Sequence, residues 1–185
     1  MKTTKTRPRI VMSAAAATLM TAAVMASPQS ARAATSLVTC NTGTYSFNLR
    51  PGLTITDRSF TLSGTGALAG CVSPPVTGDP AVNGNATATL SGSGSGSCTS
   101  GASAKFTTII TWANRQTSTQ SGTATMKIVN GVPVFTLSST TTAGKFAGST
   151  VAAVPTIAFN PADCATPQGV TRMNGTLTAF TVLGV

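Results

Sequence analysis

Apolar residues in this chain alternate with Ser and Thr, and nowhere do they recur at i, i+3, i+4 and i+7 over three turns. A period of two marks half-buried β-strands and leaves no stripe that an amphipathic helix could bury. Thr44-Tyr45-Ser46-Phe47-Asn48-Leu49 places Tyr45, Phe47 and Leu49 on one face, and Ser59-Phe60-Thr61-Leu62-Ser63 does the same with Phe60 and Leu62. Composition agrees with the pattern. Residues 34–185 include 30 Thr and no Glu, so β-branched residues dominate and strong helix formers are scarce.

The turn region from Arg50-Pro51-Gly52 to Asp57 joins the first two runs into a long hairpin. Further strands are expected at Ala86–Ser93, Lys105–Trp112 and Thr123–Val129, with a turn at Asn114-Arg115-Gln116. Asn130-Gly131 suits a type I′ turn, which needs positive φ at both central residues. A two-residue turn there sets Val129 opposite Val132, Ile128 opposite Pro133, Met126 opposite Phe135 and Ala124 opposite Leu137, so the apolar faces coincide. Pro133 lacks an N–H, which suits an edge position or one facing outward. Later strands are expected near Thr150–Val154, Thr156–Phe159 and Thr176–Leu183. Gly92-Ser93-Gly94-Ser95-Gly96-Ser97 reads as a linker or as a small-residue strand end, and one domain favours the strand end. Eight or so short strands imply an all-β fold. The expectation is an immunoglobulin-like antiparallel β-sandwich, although the Cys…Trp…Cys spacing of true immunoglobulin domains is missing.

Four cysteines allow two disulfides in three connectivities. The first hairpin selects one. With Leu49 opposite Leu62, facing residue numbers sum to 111, which places Cys40 opposite Cys71 if no bulge intervenes. Cys98 is then left with Cys164. Zinc ligation would use the same residues, but the chain has no CxxC pair and no His.

Disulfides need an oxidising compartment, and the N-terminus supplies an export signal. Lys2, Lys5, Arg7 and Arg9 precede an Ala-rich apolar run from Ser13 to Ala26, and Ala31-Arg32-Ala33 offers small residues at a cleavage site. The apolar run is too short for a membrane span of about 20 residues. Residues 1–33 are thus expected to be a signal peptide and residues 34–185 a single secreted, extracellular domain. Five of the twelve basic residues leave with the signal. The remaining seven, against three acids, give a net charge of +4. Those seven are scattered, which argues against nucleic-acid recognition, and no membrane association is expected after cleavage.

The absences constrain chemistry further. Without His, neither Ser-His-Asp nor Cys-His catalysis can be assembled. A glycosidase pair would require two of Asp57, Asp79 and Asp163 to converge. Each of them sits where turn chemistry explains it. A Ser–Lys dyad needs a desolvated lysine, and Lys127 projects opposite Met126 and Ile128. No phosphate-binding loop is present. No catalytic residue, metal or cofactor is therefore assigned, and Cys40, Cys71, Cys98 and Cys164 are the only residues given a role. Repeated Thr-x-Thr units (Thr54/Thr56, Thr87/Thr89, Thr117/Thr119, Thr123/Thr125, Thr176/Thr178) could order water or meet a glycan, but they also suit any solvent-facing strand. Alternation turns Tyr45 and Trp112 inward, as core residues.

Several motifs together resemble small, largely uncharacterised secreted proteins of Streptomyces and related actinobacteria. They are Thr39-Cys40 through Gly43-Thr44-Tyr45-Ser46, Pro51-Gly52-Leu53-Thr54, Gly66-Ala67-Leu68-Ala69-Gly70-Cys71, Gly94-Ser95-Gly96-Ser97-Cys98, Ile110-Thr111-Trp112 with Gln116-Thr117-Ser118-Thr119, and Gly144-Lys145-Phe146-Ala147-Gly148. The chain departs from that pattern at Ala113-Asn114-Arg115-Gln116. The resemblance implies an actinobacterial source, a secreted β-sandwich and two disulfides, and it brings no catalytic residues. The function expected is a non-catalytic extracellular module binding a protein or a surface polymer. The alternatives are a structural or adaptor subunit of a secreted assembly and, more remotely, an unconventional hydrolase.

Overall fold

A computed structural model describes residues 34–184; the expected signal peptide lies outside the described residues. Eight strands follow one another: β1 (Thr35–Leu53), β2 (Arg58–Val72), β3 (Gly84–Ser97), β4 (Gly101–Thr111), β5 (Thr117–Val129), β6 (Val132–Gly144), β7 (Thr150–Ala158) and β8 (Val170–Gly184). Single 3₁₀ turns interrupt the β2–β3 loop at Pro80–Val82 and the β7–β8 loop at Pro161–Ala165.

Each strand pairs antiparallel with the next, and β8 returns to pair with β1, closing the sheet into an up-and-down barrel. This corrects the expected sandwich. A sandwich needs two sheets with free edges. Here β1 carries β2 on one side and β8 on the other along much of its length, so the first and last strands are not edges. The strands are also longer than alternation of large apolar residues suggests. Gly92–Ser97 is paired within β3 rather than acting as a linker, and the two runs on either side of Pro155 are one strand, β7.

Both hairpin registers agree with their sequence patterns. Leu49 faces Leu62 and Cys40 faces Cys71, while the Asn130-Gly131 turn sets Val129 on Val132, Ile128 on Pro133, Met126 on Phe135 and Ala124 on Leu137. Asn130 and Gly131 have φ of 51° and 79°, as a type I′ turn requires. Strict alternation from Leu49 would point Cys40 outward. Instead three adjacent strands skip one residue together: the inward series changes phase between Cys40 and Gly43 on β1, between Leu68 and Cys71 on β2, and between Leu177 and Phe180 on β8. The shared skip keeps Cys40 against Cys71 and carries both into the interior, where they are disulfide-bonded and fully buried.

The interior is apolar and falls into two clusters. One holds Val38, Val82, Ile110, Trp112, Phe180 and Val182 around the Cys40–Cys71 bridge, at the end where the chain enters and leaves. The other holds Leu49, Leu53, Phe60, Phe106, Met126, Val170 and Met173 at the opposite end. There the Cys98–Cys164 disulfide ties the β3–β4 loop to the 3₁₀ turn of the β7–β8 loop. Outward positions carry hydroxyls in rows across neighbouring strands: Ser63, Ser91, Thr107, Ser121 and Thr140 form one row from β2 to β6, and Ser59, Ser95, Ser103, Thr125 and Thr136 form another.

Candidate functional site

Residues of both clusters line a partly open cavity of about 190 Å³ in the barrel interior. Its walls come from all eight strands, chiefly from inward positions such as Phe47, Leu62, Leu90, Phe106, Met126, Leu137, Ile157 and Phe180, with Ser103 and Thr136 of the outer row at its margin. No charged side chain lines it. An eight-stranded barrel is wide enough either to be filled by its own side chains or to hold one small ligand. Here small residues leave the space open: Ala88, Ala104, Ala124 and Ala153 occupy lining positions where larger side chains would close it.

The wall is weakest on one side. β6 and β7 pair only at Ser139–Val151 and Thr140–Thr150. Beyond these, the Val132–Ser138 half of β6 and the Ala152–Ala158 half of β7 run without mutual hydrogen bonds. Pro133 and Pro155 lie in these unpaired halves, each removing one N–H from its strand. Pro133 therefore does sit on an open edge, in a barrel closed at one end of the same strand. Val132, Val134 and Val154 are exposed along this seam, and Phe135, Leu137, Pro155 and Ile157 turn inward from it into the cavity.

Polar groups gather on the β4–β6 side. Trp112 Nε1 donates to Ser118 Oγ at 2.8 Å, and Ser118 Oγ donates to the Lys145 carbonyl at 2.6 Å. Ser149 Oγ donates to Thr141 Oγ1 at 2.9 Å. Gln120, only 3% exposed, lines the cavity with its Nε2 unpartnered, and Ser139 Oγ, diagonal to it on β6 and outside the lining, is also buried without a partner. On the opposite wall Tyr45 lies over Gly175, stacks on Phe47 with ring centroids 5.8 Å apart, and donates its hydroxyl to the Thr156 carbonyl of β7 at 3.2 Å. Burial pushes the Tyr45 phenol upward, so it stays neutral.

The residues singled out in the sequence lie elsewhere, Tyr45 excepted. Both expected disulfides form. Asp57 accepts from Ser100 Oγ at 2.6 Å in the loops at the Cys98–Cys164 end, which holds its carboxyl below the usual range. Asp163 accepts from Asn160 Nδ2 within the 3₁₀ turn at that same end. Asp79 is at the opposite end, capping Pro80–Val82 and paired with Lys145 Nζ at 2.6 Å. Lys127 and Lys105 are on the outer face. Among the described residues no three His, Cys, Asp or Glu side chains gather as metal ligands. Trp112 is buried and meets Phe146 edge-on at 5.7 Å. Of the Thr-x-Thr units, Thr87/Thr89 on β3 and Thr123/Thr125 on β5 belong to the outer hydroxyl face, whereas Thr54/Thr56 bond to each other in the β1–β2 loop.

The cavity and Gln120 have no counterpart in the sequence reading. A signal existed: on β5, Gln120 is in phase with Ala124, Met126 and Ile128, a polar residue on the core face of an alternating strand.

Fold and site together define an eight-stranded up-and-down barrel with a partly open apolar cavity in its interior. No family model, curated protein or solved structure matches the chain.

Proposed function

We propose that this chain is a secreted, non-catalytic binding module whose barrel interior holds one small apolar molecule. The observation that carries the reading is the 190 Å³ apolar cavity lined by residues of both core clusters. For scale, an apolar cavity of about 150 Å³ stays dry and takes benzene, so this one suits a ring with a short side chain. A largely pre-formed, mostly apolar pocket with very few polar groups is the usual form of a small-molecule site. Two disulfides and the sequence of residues 1–33 support an extracellular setting.

Thermal unfolding with benzene, sec-butylbenzene and naphthalene tests this. Saturable stabilisation of about 2.7 kcal/mol at a hundredfold excess over Kd is expected. It should be lost in Ala104→Leu, which fills the cavity. No saturable shift with any of the three compounds overturns the reading.

The outer hydroxyl rows favour a second reading, in which the β2–β6 face docks on a hydroxylated surface polymer. Co-sedimentation with insoluble cell-wall glycan, abolished by Ser91→Lys with Thr107→Lys, would support it. Full recovery in the supernatant would eliminate it.

A further inference from the structure

We infer that the molecule held in the barrel is uncharged and carries one hydrogen-bond acceptor that meets Gln120. This rests on the interior being a ligand site and narrows what that ligand is.

The wall decides the charge. A carboxylate or ammonium group inside would find no counter-ion, because no Asp, Lys or Arg lines the cavity, and burying an unpaired ion is far costlier than burying a neutral polar group. The one titratable side chain at the wall, Tyr45, has committed its proton to the Thr156 carbonyl.

The buried polar groups decide the acceptor. Of the lining side chains, Thr108 and Gln120 are polar and buried, and they face each other across β4 and β5. Trp112, Ser118, Thr141 and Ser149, which lie outside the cavity lining, satisfy one another or backbone carbonyls. Gln120 is left out of that arrangement: its Cα partners are Thr108 and Thr141, yet its Nε2 has no acceptor. A buried donor without a partner is an expensive arrangement in a folded protein. A carbonyl or ether oxygen at this end of the ligand would satisfy it, while the rest of the molecule stays against the Leu and Phe wall. Ser139 Oγ, the second unpartnered group, is diagonal to Gln120 across the β5–β6 ladder, where Gly122 rather than Gln120 faces it.

Isothermal titration of the full mature protein with three probes of similar size tests this. Propiophenone has a ring and one acceptor, sec-butylbenzene replaces that oxygen with a methyl group, and hydrocinnamate carries a charge. The wild type should bind the ketone and the hydrocarbon but not the anion. Gln120→Leu and, as a closer volume match, Gln120→Met should each lower the ratio of ketone to hydrocarbon affinity about tenfold. Hydrocarbon binding retained with an unchanged ratio in both variants would overturn the role of Gln120 while leaving the apolar site standing. Hydrocinnamate binding as tightly as propiophenone would overturn the neutral ligand. No binding of any probe by the wild type would remove the interior site itself, and this inference with it.

Discussion

Gly94 tests how tightly the barrel is drawn between β3 and β4. It faces inward opposite Ala104, and a Cβ added there would land against the Ser103 carbonyl and within 2.8 Å of both Ala104 Cα and Cβ. Two of these three atoms are backbone and the third is a Cβ fixed to it, so no flexible side chain can swing aside. Gly94→Ala must push the two strands apart. Overpacking of this kind costs about 1–3 kcal/mol, and loosening the local ladder adds to it. Against this, Ala stiffens the unfolded chain and returns about 0.4–1 kcal/mol. The net loss is about 2 kcal/mol, a fall in Tm of roughly 4–8 °C for a domain of this size. Gly131→Ala is the control. It meets nothing within 4 Å and bears only the cost of φ at +79°, about 1 kcal/mol. Urea melts of both variants, read by tryptophan fluorescence from Trp112, give the comparison. Gly94→Ala proving no less stable than Gly131→Ala would refute the close approach, and with it the reading of Gly92–Ser97 as paired strand.

Four further outcomes are expected. Replacing Cys98 and Cys164 together with Ser should cost about 4 kcal/mol, and replacing Cys40 and Cys71 about 3.5 kcal/mol, from closed loops of 66 and 31 residues; denaturant melts check both. Without ligand, Gln120→Met should raise Tm by several degrees, since it removes an unsatisfied buried donor worth about 1–3 kcal/mol. The Lys145 ammonium, helped by the Ala81 N–H, holds the Asp79 carboxyl below its ordinary range. A depressed folded-state pKa stabilises above the unfolded value, near pH 4, and that stabilisation disappears as pH falls through the folded value. Stability measured from pH 7 down to pH 2 should therefore fall less steeply in Lys145→Met than in the wild type. Amide hydrogen exchange should be faster at those amides of Val134–Ser138 and Ala152–Ala158 that point into the seam than along β1–β2, because only the sides facing β5 and β8 are laddered.

Local pairing was legible in the residues. Alternation around Leu49 and Leu62 carries the first hairpin, and Asn130-Gly131 carries another, because turn chemistry and in-phase apolar faces are properties of contiguous sequence. Closure was not legible. Whether eight antiparallel strands stack as two sheets or join end to end depends on β8 finding β1, a pairing of residues more than a hundred positions apart that leaves the alternation within each strand unchanged. Strand lengths were underestimated for a related reason. Ser, Gly and Thr look like loop residues, yet in β3 the glycines face inward and the hydroxyls outward, so Gly92–Ser97 is alternation with the apolar side chains reduced to nothing. The shared phase skip that buries Cys40 and Cys71 was invisible because it keeps the facing residue numbers the same. The cavity was invisible because it is made by what the inward positions lack.

The half-stitched joint between β6 and β7 has a mechanical consequence. A ring with one weak joint concentrates its compliance there. The Cys98–Cys164 bridge joins the β3–β4 loop to the β7–β8 loop, so the β7 side of the seam is tethered covalently, while the β6 side is held by its ladder to β5, itself paired with β4. At the far end the two strands stay joined by the Ser139 and Thr140 pairings. The seam is thus the stretch of wall where the fewest hydrogen bonds separate the interior from solvent. The same free edges also make this joint the place where two copies would first exchange strands.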